Sequence, residues 1–187
     1  MNSNLLIGSL VRLTAEDPQV LADVCSRWNS DSEYLRLLDA RSANQFSAKK
    51  IAEWLEKEME KDPPTEYLFA IRTLDGDHLI GWLDLEGDLF PHGEAFVGIG
   101  IGEREFWGKG YGTDAMKVIL RYAFQELNLR RVALDTFEYN PRAIRSYEKA
   151  GFVHEGRARE FLNREGRRWD LIFMGILREE WLAKDTG

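Results

Sequence analysis

The chain has 187 residues, 44% of them hydrophobic, enough for an ample core and too many for a disordered polypeptide. Its 32 acidic residues outnumber 25 basic ones and leave a formal net charge of −7, which argues against nucleic acid as the main partner and mildly favours cationic partners such as amines. One cysteine, Cys25, excludes an intrachain disulfide framework, the scattered His78, His92 and His154 offer no metal-ligand spacing, and no apolar run reaches the ~20 residues of a membrane-spanning helix.

Met1-Asn2-Ser3-Asn4 lacks the basic start and apolar core of a signal peptide, so the expectation is one cytoplasmic domain over residues 1–187. Ser9 to Thr14 reads as a first strand. Asp17-Pro18 then caps a helix whose Leu21, Val24, Cys25 and Trp28 share a stripe. Asp31 to Phe46 is mixed in composition and reads as irregular. Ser47 caps a second helix with Ile51, Leu55 and Met59 facing inward and an acidic outer face of Glu53, Glu56, Glu58 and Glu60. Pro63-Pro64 ends it. Tyr67 to Thr73 and Leu79 to Glu86 read as strands joined at Asp75-Gly76, a hairpin signal. Gly87 to Gly93 is a turn-rich loop, and Ala95 to Ile101 is the next strand.

Trp107-Gly108-Lys109-Gly110-Tyr111-Gly112-Thr113 follows that strand and opens a helix-like run from Asp114 to Leu127. Three glycines in five residues let the backbone approach a ligand and expose its N–H groups. A helix starting there adds orphan donors and a positive dipole end, which together suit a phosphate or pyrophosphate. Glycine within the strand end Gly100-Ile101-Gly102 marks either a bulge or a close backbone approach. Arg131 to Phe137 reads as another strand. The helix between two strands is a crossover and places them parallel. Asn140 is an N-cap, Pro141 sits at the first helical position and Gly151 stops the helix, with Ala143, Ile144, Tyr147 and Ala150 on one inward face. Phe152 to Phe161 and Arg168 to Ile176 form a last antiparallel pair turned at Asn163-Arg164-Glu165-Gly166.

Strand, glycine loop, helix, strand and a short Asn-Pro-to-Gly-Phe helix, in that order, resemble the GNAT superfamily of N-acetyltransferases. The likeness is close over residues 95 to 177. Tyr147-Glu148-Lys149-Ala150-Gly151-Phe152 and the long final hairpin resemble the branch of ribosomal-protein N-terminal acetyltransferases and spermidine N-acetyltransferase. The resemblance implies an α/β fold of α+β type: a mixed, largely antiparallel sheet, helices on both faces and a splayed parallel strand pair. It also implies acetyl-CoA as cosubstrate, no metal, an amine acceptor, a frequent homodimer, and direct attack of the amine on the thioester.

Carried over residue by residue, the glycine loop from Trp107 to Thr113 would hold the pyrophosphate. The family pattern usually begins with arginine or glutamine, and here Trp107 stands instead, free to pack beside the cofactor. The backbone at Gly100, Ile101 and Gly102 would pair with the pantetheine amides like an added strand, and N–H groups near Ile101 would stabilise the developing oxyanion. Asn140 is a structural cap that in the family often also bonds the pantetheine arm. Tyr147 is either core or the proton donor to the leaving thiolate, since a phenol of pKa near ~10 is protonated at neutral pH. Arg142, Arg145 and Lys149 either reach acidic groups of the cofactor or are solvated. Glu94 is the first choice for the base that deprotonates the amine, with Asp84 and Glu86 as alternatives on the neighbouring strand. Two other readings stand beside this one. The first is a non-catalytic acyl-CoA-binding sensor. The second is a dinucleotide-binding oxidoreductase, suggested by Asp135 following Gly112 by 23 residues but lacking the required glycine spacing.

Overall fold

The computed structural model describes residues 4–61, 66–87 and 90–185. Its strands are β1 (Val11–Thr14), β2 (Glu66–Thr73), β3 (Leu79–Glu86), β4 (Glu94–Ile101), β5 (Arg131–Phe137), β6 (Val153–Arg164) and β7 (Arg167–Leu177). They form one seven-stranded sheet in the order β1-β2-β3-β4-β5-β7-β6. All neighbours are antiparallel except β4 and β5. The helices are α1 (Pro18–Trp28), α2 (Ser32–Leu38), α3 (Ala48–Met59), α4 (Tyr111–Gln125), α5 (Pro141–Ala150) and α6 (Arg178–Asp185). The mixed, largely antiparallel sheet with one parallel pair is the architecture expected from the sequence.

Alternation along the strands gives each sheet face its own core. On one face Phe69 and Ile71 of β2, Leu83 and Leu85 of β3 and Val97 of β4 pack with Met116, Ile119 and Phe124 of α4. Trp181 of α6 closes over Phe124, ring centroids 5.5 Å apart. On the other face Leu68 and Trp82 meet Leu21 and Ala22 of α1 and Ala52 and Leu55 of α3. The caps follow their residue types. Asp17 accepts from the amides of Gln19 and Val20 at 2.9 and 3.3 Å, Ser47 accepts from Lys50, and α5 ends in left-handed Gly151. The β6–β7 turn places Glu165 and Gly166 both at positive φ, as a two-residue hairpin turn requires.

Some expectations change. The stretch from Asp31 to Phe46 is not wholly irregular, because Asp31 caps α2 by accepting from the amides of Glu33 and Tyr34. Seven residues are too few for a helical period to stand out. α6 was not anticipated at all. α4 begins at Tyr111, three residues before the expected Asp114, because Gly110 at φ 94 serves as its N-cap. Met59 is 59% exposed instead of inward, since packing against α1 runs through Ile51, Ala52 and Leu55. The loop before β4 includes a short 3-10 turn at Phe90–His92. Pro63-Pro64, Met1 to Ser3, and Asp88 and Leu89 of that loop lie outside the described residues.

Asp114, on the first turn of α4, fastens the chain start to this helix. Its carboxylate accepts from the amides of Ser9 (3.1 Å), Leu10 (2.7 Å) and Val11 (3.0 Å). Hydrogen bonds to a charged group are each worth roughly 1.5–3 kcal/mol and overlap when they share one acceptor. Asp114→Ala should therefore lower the unfolding free energy by about 2–4 kcal/mol in urea titration. A loss below about 0.5 kcal/mol, the size of an ordinary surface substitution, would show that the cluster is not an anchor.

Candidate active site

β4 and β5 pair only over Glu94–Phe96 and Arg131–Ala133. Beyond Phe96 the strands separate, while β4 stays paired to β3 as far as Ile101. Gly102 donates its N–H to Ile80 at 2.9 Å, so the even-numbered residues of this segment turn their backbone groups to β3. By alternation, Val97, Ile99 and Ile101 turn theirs into the gap. A cavity of about 930 Å³ occupies this gap. Its wall includes the β4 edge, the glycine loop, α5 and α2.

On the α4 side, Gly108 (φ 71) and Gly110 (φ 94) adopt left-handed conformations that a side chain would strain. Gly110 gives α4 no side-chain cap, so the first-turn amides of Tyr111, Gly112 and Thr113 are left as orphan donors, and Gly112 and Thr113 line the cavity end. Gly112 has ordinary helical geometry. A Cβ there would meet only Ile101 and Ser146, at 3.7 and 3.8 Å. The fold itself thus tolerates alanine at 112, and the cradle is open where a phosphate would approach. Thr113 and Ser146 share a hydroxyl hydrogen bond of 2.8 Å that ties α4 to α5. Lys117, Arg145 and Lys149 add positive charge to the lining on this side.

On the opposite face lies Asp84 of β3, 5% exposed. It stands across from Gly98, and a Cβ at 98 would fall 2.5 Å from its Oδ1, so only glycine leaves room for this carboxyl. Burial, with the negative charges of Glu66 and Glu86 beside it, pushes the Asp84 carboxyl up to about 7. Glu66 and Glu86 are direct cross-strand partners, a like-charge pair that is costly without a cation. Burial and the charges of Glu58 and Glu86 raise Glu66 as well, against a smaller opposing pull from Lys61. Tyr34 of α2 caps this side, its hydroxyl accepting from Trp82 Nε1 at 3.0 Å.

The expected site residues distribute unevenly. Gly108, Gly110, Gly112, Thr113, Asn140 and Tyr147 line the cavity together with Gly100, Ile101 and Trp107. Asn140 is 8% exposed and caps α5 through the Ala143 amide (3.2 Å). Tyr147 packs edge-on against Phe152, and burial with the nearby Asp135 carboxylate raises its phenol, keeping it protonated. Lys109 and Tyr111 are not in the lining: Lys109 lies in the loop between Gly108 and Gly110, and Tyr111 opens α4 and packs on Phe106 at 5.0 Å.

The readings of Gly100 and Gly102 and of Glu94 are corrected. Gly100 and Gly102 face β3, and their lack of side chains serves packing: a Cβ at 102 would fall 1.9 Å from the Trp28 ring, and one at 100 would fall 2.5 Å from the Tyr34 hydroxyl. Trp107 is folded back onto the strand, its Nε1 donating to the Ile101 carbonyl at 2.6 Å, with the Arg142 guanidinium 3.8 Å over its ring. Glu94 is not brought to the cavity. It sits at the paired end of β4, ion-paired with Arg130 and, at 3.1 Å, with Arg131. The two alternatives, Asp84 and Glu86, both line the cavity, and Asp84 is the buried one. Tyr34 escaped notice because α2 did.

Cys25, whose thiol burial pushes up to about 12, is no nucleophile. Among the described residues no group of His, Cys, Asp and Glu is placed to hold a metal. No helix among them is long and apolar enough to cross a membrane.

Residues 9–153 match the family model described as Acetyltransferase (GNAT) domain. The chain is 30% identical over 178 residues to YokL, a SPbeta prophage-derived uncharacterized N-acetyltransferase of Bacillus subtilis, covering 93% of each chain. The crystal structure of spermidine N-acetyltransferase from Vibrio cholerae, in complex with CoA and spermine, superposes with a TM-score of 0.77 at 26% identity, over 92% of this chain and 96% of that one. A GNAT-family acetyltransferase from Bacillus anthracis shares the fold with a TM-score of 0.76 at 19% identity, over 93% and 98% of the two chains.

The Asp84 carboxyl has a measurable signature. Folded, it keeps its proton up to about pH 7; unfolded, it releases it near ~4. The native state therefore holds the extra proton between these values, and its stability falls as pH rises through that window. Asp84→Asn cannot titrate. Its melting temperature relative to the wild type should climb from about pH 4 to about pH 7. A constant offset across that range would place the carboxyl pKa near its ordinary value.

Proposed function

The chain belongs to the GNAT family of acetyltransferases, and from that membership and the cleft we propose that it transfers the acetyl group of acetyl-CoA to a cationic primary amine by direct attack. One observation carries the reading: the unpaired edge of β4 runs between the glycine cradle at the start of α4 and the buried Asp84. The whole chain acts as one N-acetyltransferase domain.

The residues fit the cosubstrate. Orphan amides of Tyr111, Gly112 and Thr113, with Lys117, Arg145 and Lys149 nearby, suit a pyrophosphate. Val97, Ile99 and the Ile101 N–H offer strand partners to the pantetheine amides, while the Ile101 carbonyl is already taken by Trp107. When bound, acetyl-CoA supplies an acyl carbon activated as a thioester. Asp84, titrating near neutrality, accepts a proton from the incoming ammonium, directly or through one water, and frees the nitrogen lone pair. An ammonium beside Asp84, Glu66 and Glu86 also relieves their mutual repulsion, which favours cationic acceptors over neutral hydroxyls. That lone pair bonds to the acyl carbon; as the carbon–sulfur bond breaks, Tyr147 gives its phenolic proton to the sulfur, and the second proton shed by the acetylated nitrogen, passed through water, restores the phenol.

Polyamines are the first acceptor class to test, because the acidic wall has room for more than one positive charge and the Vibrio cholerae neighbour is a spermidine N-acetyltransferase. A free-thiol assay over polyamines, peptide N-termini, aminoglycosides and hydroxyl acceptors decides between classes. Acetyl-CoA binding with no thiol release on any amine would favour the non-catalytic sensor. The dinucleotide-binding oxidoreductase falls with the family assignment. Exposed Val153, Phe161 and Phe173 on the β6–β7 hairpin support a homodimer formed there.

Two substitutions separate binding from chemistry. Gly112→Ala places a methyl group in the cradle without clashing in the fold. It should leave the protein as stable or up to about 1 kcal/mol more stable in thermal unfolding, and weaken acetyl-CoA about tenfold or more by calorimetry. Unchanged affinity would move the pyrophosphate elsewhere. Tyr147→Phe keeps the ring against Phe152 and removes only the proton. The single-turnover rate should fall about 10²- to 10⁴-fold with acetyl-CoA affinity retained. A near wild-type rate would assign the proton to a water.

A further inference from the structure

One guanidinium ties the last hairpin to the acceptor side of the cavity. Arg164, at the end of β6, donates to the carbonyls of Arg36, Asp39 (2.6 Å) and Arg41 (3.1 Å), and to the Tyr139 hydroxyl (2.6 Å). The Tyr139 hydroxyl in turn donates to the Arg36 carbonyl. The neighbouring Glu165 pairs with the Arg36 guanidinium at 2.8 Å. The carbonyls of Arg36, Asp39 and Arg41 belong to the last turn of α2 and the segment after it, where helix geometry leaves acceptors without partners. That segment has no regular structure between Asp39 and Phe46, so little else fixes its path.

The same segment builds a wall of the site. Leu37, Leu38, Asp39 and Arg41 line the cavity on the side of Tyr34 and Asp84, away from the glycine loop. Arg41 also donates twice through its guanidinium to one carboxylate oxygen of Asp39, Oδ2, and its amide donates to the other. Only arginine presents enough donors, in a rigid planar fork, to hold carbonyls one, four and six residues beyond Leu35 at once; lysine is a point donor.

We propose that Arg164 is a positioning residue that sets acceptor affinity by fixing the 36–41 wall, without touching either substrate. This rests on the acetyl-transfer reading above. Because α4 and the glycine loop lie outside the clamp, its loss should act on the acceptor alone.

Arg164→Ala and the milder Tyr139→Phe test it together, with Arg164→Lys as the conservative variant. In Arg164→Ala the acceptor KM should rise about tenfold or more, while acetyl-CoA KM and kcat at saturating acceptor stay within about threefold. Tyr139→Phe should move the same parameter less, and Arg164→Lys should restore it only in part. Amide hydrogen exchange of unliganded protein should quicken at residues 36–41 in the alanine variant and stay unchanged at 108–114. Equal rises in both KM values, or an unmoved acceptor KM despite faster exchange, or unmoved exchange, would each overturn the clamp. A wild type that turns over no amine would overturn the acetyl-transfer reading and the clamp with it, whereas an active wild type with both KM values moved overturns the clamp alone.

Discussion

β4 and β5 share three residue pairs and then part. A strand inside a sheet normally spends its polar backbone groups on two neighbours, and an unpaired buried amide or carbonyl is costly. Here β4 keeps one neighbour through Ile101 and loses the other after Phe96. The parting has a cause in the chain. β4 is followed by the glycine loop and α4, which must return over the sheet before β5 can start alongside, so the two strands run parallel. At its far end β4 is drawn toward β3 by the Ile80 carbonyl and held over Trp28 and Tyr34 by glycines that admit no side chain. The gap, the exposed strand edge and the cavity are consequences of that one divergence.

The cleft has two electrical ends although the chain as a whole is negative. Lys117, Arg145 and Lys149 join the α4 dipole on one side, and Asp84, Glu66 and Glu86 crowd the other. The first arrangement suits a phosphorylated carrier and the second an ammonium. Tyr147 and Asp84 also titrate in the senses the proposed reaction needs. Burial raises both groups, which keeps the phenol a donor and brings the carboxyl to the pH where it can both take and release a proton.

Much of this was legible in the residues. The glycine loop, the Asn140-Pro141 cap and the Gly151 stop fixed α4 and α5 to within a few positions, because turns and caps depend on local chemistry. The strands were legible because they are bounded by turn residues. The proposed base was less so. Glu94 and Asp84 are both acidic residues on strands facing the same side, and only register shows that Glu94 lies beside Arg130 and Arg131 while Asp84 lies opposite Gly98. α2 was missed because seven residues carry barely two turns of pattern. The proposed role of Arg164 was out of reach altogether, since the carbonyls it binds lie more than a hundred residues away in sequence.

The most direct test of this account is residue-resolved amide hydrogen exchange of the wild type with and without acetyl-CoA. If the open edge of β4 serves as the cosubstrate's strand partner, binding slows exchange at Val97, Ile99 and Ile101 and at the α4 amides of Tyr111 to Thr113, and leaves the already paired Glu94 to Phe96 unchanged. Protection that spares residues 97–101 while the protein binds acetyl-CoA would contradict it.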